Sequence, residues 1–280
     1  MGADPRAVWG SLTPAERQVA YDNMAASPNG PELAAARNAA SEAFRAKHSG
    51  KLDVPYGAGE REKWDIYPPK NPRAPVLVFI HGGYWQRNSR ENFAIFAEGA
   101  LSWGLGVAMP GHTLAPEASL TRIVAQIRSA FDWLAREGAS HGIGGPTIVS
   151  GWSAGGHLAA MALDHPHIRA GVGISGVYEL GPIRDTEYNV AMKFTDAEVA
   201  TLSPLRLPVV NKPFALAYGS REVAALVEDA RNFHALRAGA HAPGTLIPIA
   251  GANHFSVLDA LRDPNGEILA EVVAMAGRLG

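Results

Sequence analysis

From about residue 64 to the end of the chain, short apolar runs alternate with stretches whose apolar residues recur every three or four positions. Ala74–Ile80 (Ala-Pro-Val-Leu-Val-Phe-Ile) is nearly all apolar and rich in β-branched residues, as a strand buried on both faces requires. Comparable runs at Leu105–Pro110, Pro146–Ser150, Gly171–Ser175, Phe214–Tyr218 and Thr245–Ile249 predict further strands. Between them the period changes. Ile123, Ile127, Phe131 and Leu134 fall on one face of a helix whose start is marked by Ser119 and Thr121, and Val223–Leu236 is amphipathic in the same way. This alternation predicts an α/β fold, a doubly wound, mostly parallel sheet with right-handed crossovers. Two segments stand outside the rhythm. Residues 1–51 form an alanine-rich, helical N-terminal segment without strand signals, and residues 178–207 are irregular, with Tyr188 and Asn189 among charges. An insertion at that edge of such a sheet is expected to lie over the site as a lid.

Composition narrows the function. A chain of 280 residues with 47% hydrophobic content supports one large domain spanning residues 1–280. The formal net charge of −2 and the lack of a basic run argue against nucleic acid and anionic membranes, so a small-molecule substrate, neutral or zwitterionic, is expected. A homodimer is compatible with this composition. Without cysteine there is no disulfide, thiol nucleophile or thiolate zinc site. The sequence Asp164-His165-Pro166-His167 is read as a helix end, because Pro166 prevents helical ligand spacing, and no metal or cofactor is expected. No apolar leader and no run of membrane-spanning length is present, which makes the cytoplasm the expected location.

The candidate chemistry centres on Gly151-Trp152-Ser153-Ala154-Gly155, a G-x-S-x-G sequence directly after a predicted strand. Such a strand-to-helix elbow exposes a serine hydroxyl above the sheet and aims the N-terminus of the next helix at the same point. His81-Gly82-Gly83-Tyr84-Trp85 follows the Ala74–Ile80 strand, and a His-Gly-Gly turn there supplies the other half of an oxyanion hole. Tyr84 and Trp85 fit either core packing or a pocket wall. The triad should continue in the order serine, acid, histidine. His254 lies on the loop after the Thr245–Ile249 strand and is the best base among ten histidines. Glu222, just beyond Phe214–Tyr218, is the acid this order points to. Asp229 competes, but its place within an amphipathic helix reads as solvated surface.

His81-Gly82-Gly83-Tyr84-Trp85, Ser153-Ala154-Gly155-Gly156-His157-Leu158, Leu202-Ser203-Pro204-Leu205 and Asn253-His254-Phe255 together resemble the kynurenine formamidase (arylformamidase) branch of the α/β hydrolases, which is related to hormone-sensitive-lipase-like esterases. Trp9 and Tyr21-Asp22-Asn23 resemble that branch's N-terminal helices. The resemblance implies an α/β-hydrolase fold, with Ser153 as nucleophile, Glu222 as acid and His254 as base. It also implies oxyanion N–H groups from Gly83, Tyr84 and Ala154, with Gly82 shaping the turn. Trp152 stands where relatives commonly carry histidine, and His112 where a tyrosine is usual; both could face the pocket, as could Trp85, Tyr188, Asn189 and Phe255. The function implied is a metal-independent serine hydrolase that cleaves a small aryl formamide such as N-formylkynurenine through an acyl-enzyme. The alternative is a carboxylesterase or amidase of the hormone-sensitive-lipase type, and a remote one is a catalytically silent binding module.

Overall fold

In the computed structural model, residues 12–279 are described; Trp9 lies outside them. Eight strands form one sheet: β1 (Lys51–Pro55), β2 (Lys63–Tyr67), β3 (Val76–Ile80), β4 (Gly106–Pro110), β5 (Thr147–Trp152), β6 (Ile168–Ile174), β7 (Phe214–Gly219) and β8 (Leu246–Ile249). Their order is β1-β2-β4-β3-β5-β6-β7-β8. The β1–β2 and β2–β4 pairs are antiparallel and all others parallel.

Alternation along β3 explains why helices cover both faces. Val76, Val78 and Ile80 meet Ile123, Ile127 and Phe131 of the helix Leu120–Glu137 and Leu158 of the helix Ala154–Ala162 in one apolar cluster. Leu77 and Phe79 point the other way, into a cluster with Phe93, Ile268 and Leu269. Every residue of β3 and of β5 is therefore buried. The register also brings functional positions together. Ile80 pairs with Gly151, Trp152 with Ile174, and Ile174 with Ala217, so the loops that follow these strands gather at one edge of the sheet.

The helix Gly30–Lys47 from the N-terminal segment is fastened beside that edge. Ser41 Oγ donates to Asn92 O at 2.9 Å and accepts from Ile95 N at 3.2 Å. Arg45 and Arg90 converge on the fully buried Asp65, at 3.3 and 3.1 Å. Its neighbour β1 was not predicted, because its exposed and half-buried residues alternate and include Lys51, Asp53 and Pro55, which leave no apolar run.

Asp229 corrects the sequence reading. It is fully buried on the inner face of the helix Ala224–Gly239, not solvated, and its Oδ2 accepts from Tyr178 N at 2.7 Å and Glu179 N at 3.2 Å. The chain after β6 needs partners for these buried N–H groups, and this carboxyl supplies them. The segment 178–207 that starts there contains two short helices, Asn189–Met192 and Asp196–Leu202, and buries Leu180, Ile183, Met192 and Phe194. Among the described residues no helix is long and apolar enough to cross a membrane.

Candidate active site

Ser153 has φ 57° and ψ −122°, a left-handed conformation that costs a non-glycine residue about 1 to 3 kcal/mol. The surroundings enforce it. Ser153 N donates to Ile174 O at 2.9 Å, and a Cβ on Gly151 or Gly155 would stand 2.1 Å from Gly155 O or 2.0 Å from Ile80 O. Only glycines at these two flanks let the elbow close. Ser153 makes no side-chain capping bond to the helix Ala154–Ala162, so its hydroxyl is free for chemistry beside N–H groups without intrahelical acceptors.

The loop after β3 is held as tightly. Gly83, Tyr84 and Trp85 have φ of 127°, 50° and 58°. Gln86 N and Arg87 N both donate to Gly83 O at 3.0 Å, Asn88 Nδ2 donates to Gly82 O at 3.0 Å, and Ala115 N donates to Trp85 O at 2.9 Å. This backbone sends successive aromatic rings to opposite sides. Tyr84 lines the cavity at Ser153, stacked on Tyr188 at 3.9 Å, and its hydroxyl donates to Tyr21 O at 2.6 Å.

At the end of β8, His254 is almost wholly buried, and its Nδ1 lies 2.8 Å from Glu222 Oε2. Glu222 Oε1 in turn accepts from Gly219 N at 2.6 Å and from the hydroxyl of Ser175. With Nδ1–H committed to a carboxylate, Nε2 of the neutral ring is left as a base. Trp152 braces the histidine from the side: its indole Nε1 donates to His254 O at 2.8 Å, and the two rings lie 4.7 Å apart.

These groups surround a cavity of about 200 Å³ lined by Ser153, His254, Gly83, Tyr84, Trp152, Tyr188 and Phe255. Ala154 lies buried as the first residue of the elbow helix. A smaller cavity of about 120 Å³ shares Trp152, Phe255, Ala34 and Arg37 with it and is otherwise walled largely by apolar side chains such as Leu33, Ile95 and Phe96.

Four anticipated pocket residues lie elsewhere. Trp85 turns into the core, edge-on to His157 and Phe194. His112 is buried against His81, stacked at 4.6 Å, with Nδ1 on Thr113 O; burial pushes its pKa down to about 4. Asn189 pins its own loop, donating to Arg184 O and accepting from Phe194 N. Gly82 is sealed beneath the loop, where a Cβ would meet Trp152 O at 2.4 Å; it shapes the turn and is absent from the cavity lining. His157 is a core residue, its Nε2 on Leu202 O and its pKa also lowered by burial to about 4.

Sequence reasoning missed Ser175, which steadies Glu222, and the cavity wall from the N-terminal segment: Asn23, Met24, Ala34 and Arg37. Asn23 carried a signal in the Tyr21-Asp22-Asn23 motif. For Arg37 there was none, since an arginine on a helix normally faces solvent.

The chain is similar to several known hydrolases. The BD-FAE family model matches residues 64–167. Kynurenine formamidase of Danio rerio is 29% identical over 244 residues, 81% of this chain and 82% of that protein. Esterase LipC of Mycobacterium tuberculosis is 28% identical over 247 residues, 75% of this chain and 60% of that protein. A Silicibacter sp. TM1040 crystal structure, provisionally described as a thioesterase, superposes with a TM-score of 0.83 at 30% identity, covering 92% of this chain and 99% of that one. The chain belongs to the α/β hydrolases and is a hydrolytic enzyme. Within that class it is kynurenine-formamidase-like and related to esterases.

Proposed function

We propose that the protein is a serine hydrolase that removes the formyl group from a small aryl formamide of the N-formylkynurenine kind. The observation that carries this reading is one cavity onto which Ser153 and the Glu222-paired His254 both open. Similarity to kynurenine formamidases over four-fifths of the chain supports the formamide, and the cavity's modest size suits a single substituted ring.

In this reading Ser153 Oγ attacks the formyl carbon while His254 Nε2 takes its proton. Glu222 holds the Nδ1–H tautomer and offsets the imidazolium charge. N–H groups of Gly83, Tyr84 and Ala154 receive the alkoxide that forms. The C–N bond breaks as His254 returns the proton to the departing nitrogen, which matters because an unprotonated anilide leaves badly. Free arylamine and formyl-Ser153 result. His254 then takes a proton from water, which attacks the formyl ester; formate departs and Ser153 recovers its proton. A cytoplasmic setting belongs to the same proposal.

The apolar recess beyond Trp152 and Phe255 favours one second reading, a carboxylesterase whose acyl chain enters it. Formyl, acetyl, propionyl and butyryl derivatives of one arylamine and one phenol distinguish the two. A formamidase prefers formyl, because each added carbon must open a closed acyl side. Rates that peak at butyryl or longer reject it and leave the esterase. In either case Ser153→Ala should lose about 10³-fold or more of the activity while remaining folded by circular dichroism.

A further inference from the structure

The cavity holds two guanidinium groups and no carboxylate. Arg37 and Arg87 both line it, and none of its other lining residues is Asp or Glu. Several arginines near the sheet are neutralised by carboxylates, and Arg37 is not. Arg45 and Arg90 pair with Asp65 and Asp53, and Arg206 with Glu179. Arg37, by contrast, bonds only to amide oxygens, Asn38 Oδ1 at 2.9 and 3.2 Å and Asn88 Oδ1 at 3.5 Å, and lies over the Phe93 ring at 4.1 Å. Among the described residues neither Arg37 nor Arg87 has a carboxylate within ion-pair distance. In a chain with a formal net charge of −2, two cations lining the nucleophile's cavity, with no carboxylate among its other lining residues, form a receptor for an anion.

We infer that Arg37 is the principal residue by which this cavity recognises a carboxylate on the leaving group, with Arg87 assisting from the rim. The charge belongs on the leaving group because a formyl acyl part has no atom to carry it; in that respect the inference rests on the proposed function. Burial lowers the Arg37 pKa to about 10, with no opposing charge to restore it, and the group remains a cation at neutral pH. The ring contact with Phe93 and the bonds to Asn38 and Asn88 hold the guanidinium in place in advance, which reduces the ordering cost of binding an anion.

The test is the ratio of kcat/KM for a carboxylate-bearing formanilide to that for its neutral parent, with a carboxyphenyl and a phenyl acetate as a parallel ester pair. Wild type should prefer the anion about 10-fold or more, and Arg37→Gln should cut that ratio roughly 10- to 100-fold, chiefly through KM. Arg37→Lys should fall between, and Arg87→Gln should lower the ratio a few-fold. A ratio that survives Arg37→Gln, even with both rates reduced, assigns Arg37 to packing alone and overturns the inference. Competition by benzoate against benzamide, measured on the wild type, decides the matter should Arg37→Gln fail to fold; equal inhibition overturns it. If neither formanilide is hydrolysed while the ester pair shows the Arg37-dependent ratio, the formamidase reading falls and the anion receptor stands.

Discussion

Asp229→Asn exchanges a buried carboxyl for a neutral group of the same shape. Asp229 Oδ2 accepts two backbone N–H groups, whereas Oδ1 is buried without a partner. Burial pushes its pKa up to about 8, outweighing the two N–H donors. In the unfolded chain the value is about 3.9. As pH rises the unfolded state therefore releases this proton first, and stability falls from about pH 4 until the folded group ionises near pH 8. Between pH 5 and pH 8 the loss is roughly 4 kcal/mol, at about 1.4 kcal/mol per pH unit. Asparagine does not titrate, but its NH₂ lacks an acceptor where Oδ1 now lies, a constant cost of about 1 to 3 kcal/mol. The variant should be equal to or weaker than wild type at pH 5 and the more stable protein at pH 8. Urea unfolding of both proteins at each pH measures the difference, and the buried histidines, common to both, cancel. A gap that is independent of pH, or that widens against the variant as pH rises, would show an ionised carboxylate stabilised by its two donors and refute the reasoning.

Glu222→Gln should lower kcat by about 10³- to 10⁴-fold, since the imidazolium loses its charge partner; steady-state kinetics showing a change in KM alone would remove Glu222 from the triad. His112→Phe should flatten acid sensitivity. With its folded pKa near 4 and an unfolded value near 6.5, His112 stabilises least in acid, and wild type should lose roughly 2 kcal/mol more than the variant between pH 7 and pH 5 in urea titrations. Trp152→Phe keeps a ring against His254 but deletes the indole bond to its carbonyl, so kcat should fall about 5- to 10-fold, and an effect confined to KM would reduce Trp152 to a wall.

Six of the eight strands were legible because each is a nearly unbroken apolar run. β1 and β2 were not, since Lys51, Asp53 and Pro55 interrupt the first and Lys63 and Asp65 the second. The candidate triad was legible for a different reason: each member follows a strand, and backbone contacts of the elbow with itself and with β3 require the flanking Gly151 and Gly155. Pocket walls obey neither rule. Trp85 follows a cavity residue in sequence yet faces the core, where it meets His157 and Phe194, and His112 is drawn into the core by its stack on His81 and its bond to Thr113 O. Arg37 and Met24 reach the cavity only through the docking of a distant segment. Asp229 was misjudged because helical period does not reveal which chain end a buried helix face must satisfy.

The union of the N-terminal helix with the last catalytic loop also sets an order of assembly. Asn29, at the start of that helix, meets Asn253 across 224 residues of chain, and Phe255 packs where a side chain on Gly30 would collide with it. During synthesis the helix is made early and can meet Asn92 and Ile95, 51 and 54 residues from Ser41, yet its seam with Asn253 and Phe255 cannot form until β8 and its loop have been translated. The contacts of that seam are thus among the longest loop closures in the chain, and such contacts form late because their entropy must be met before they gain anything. The sheet can condense and the elbow can form while the site is still open to water on one side. Maturation of the cavity is then a separate, final event, and a refolding time course should show recovery of sheet structure before recovery of hydrolysis.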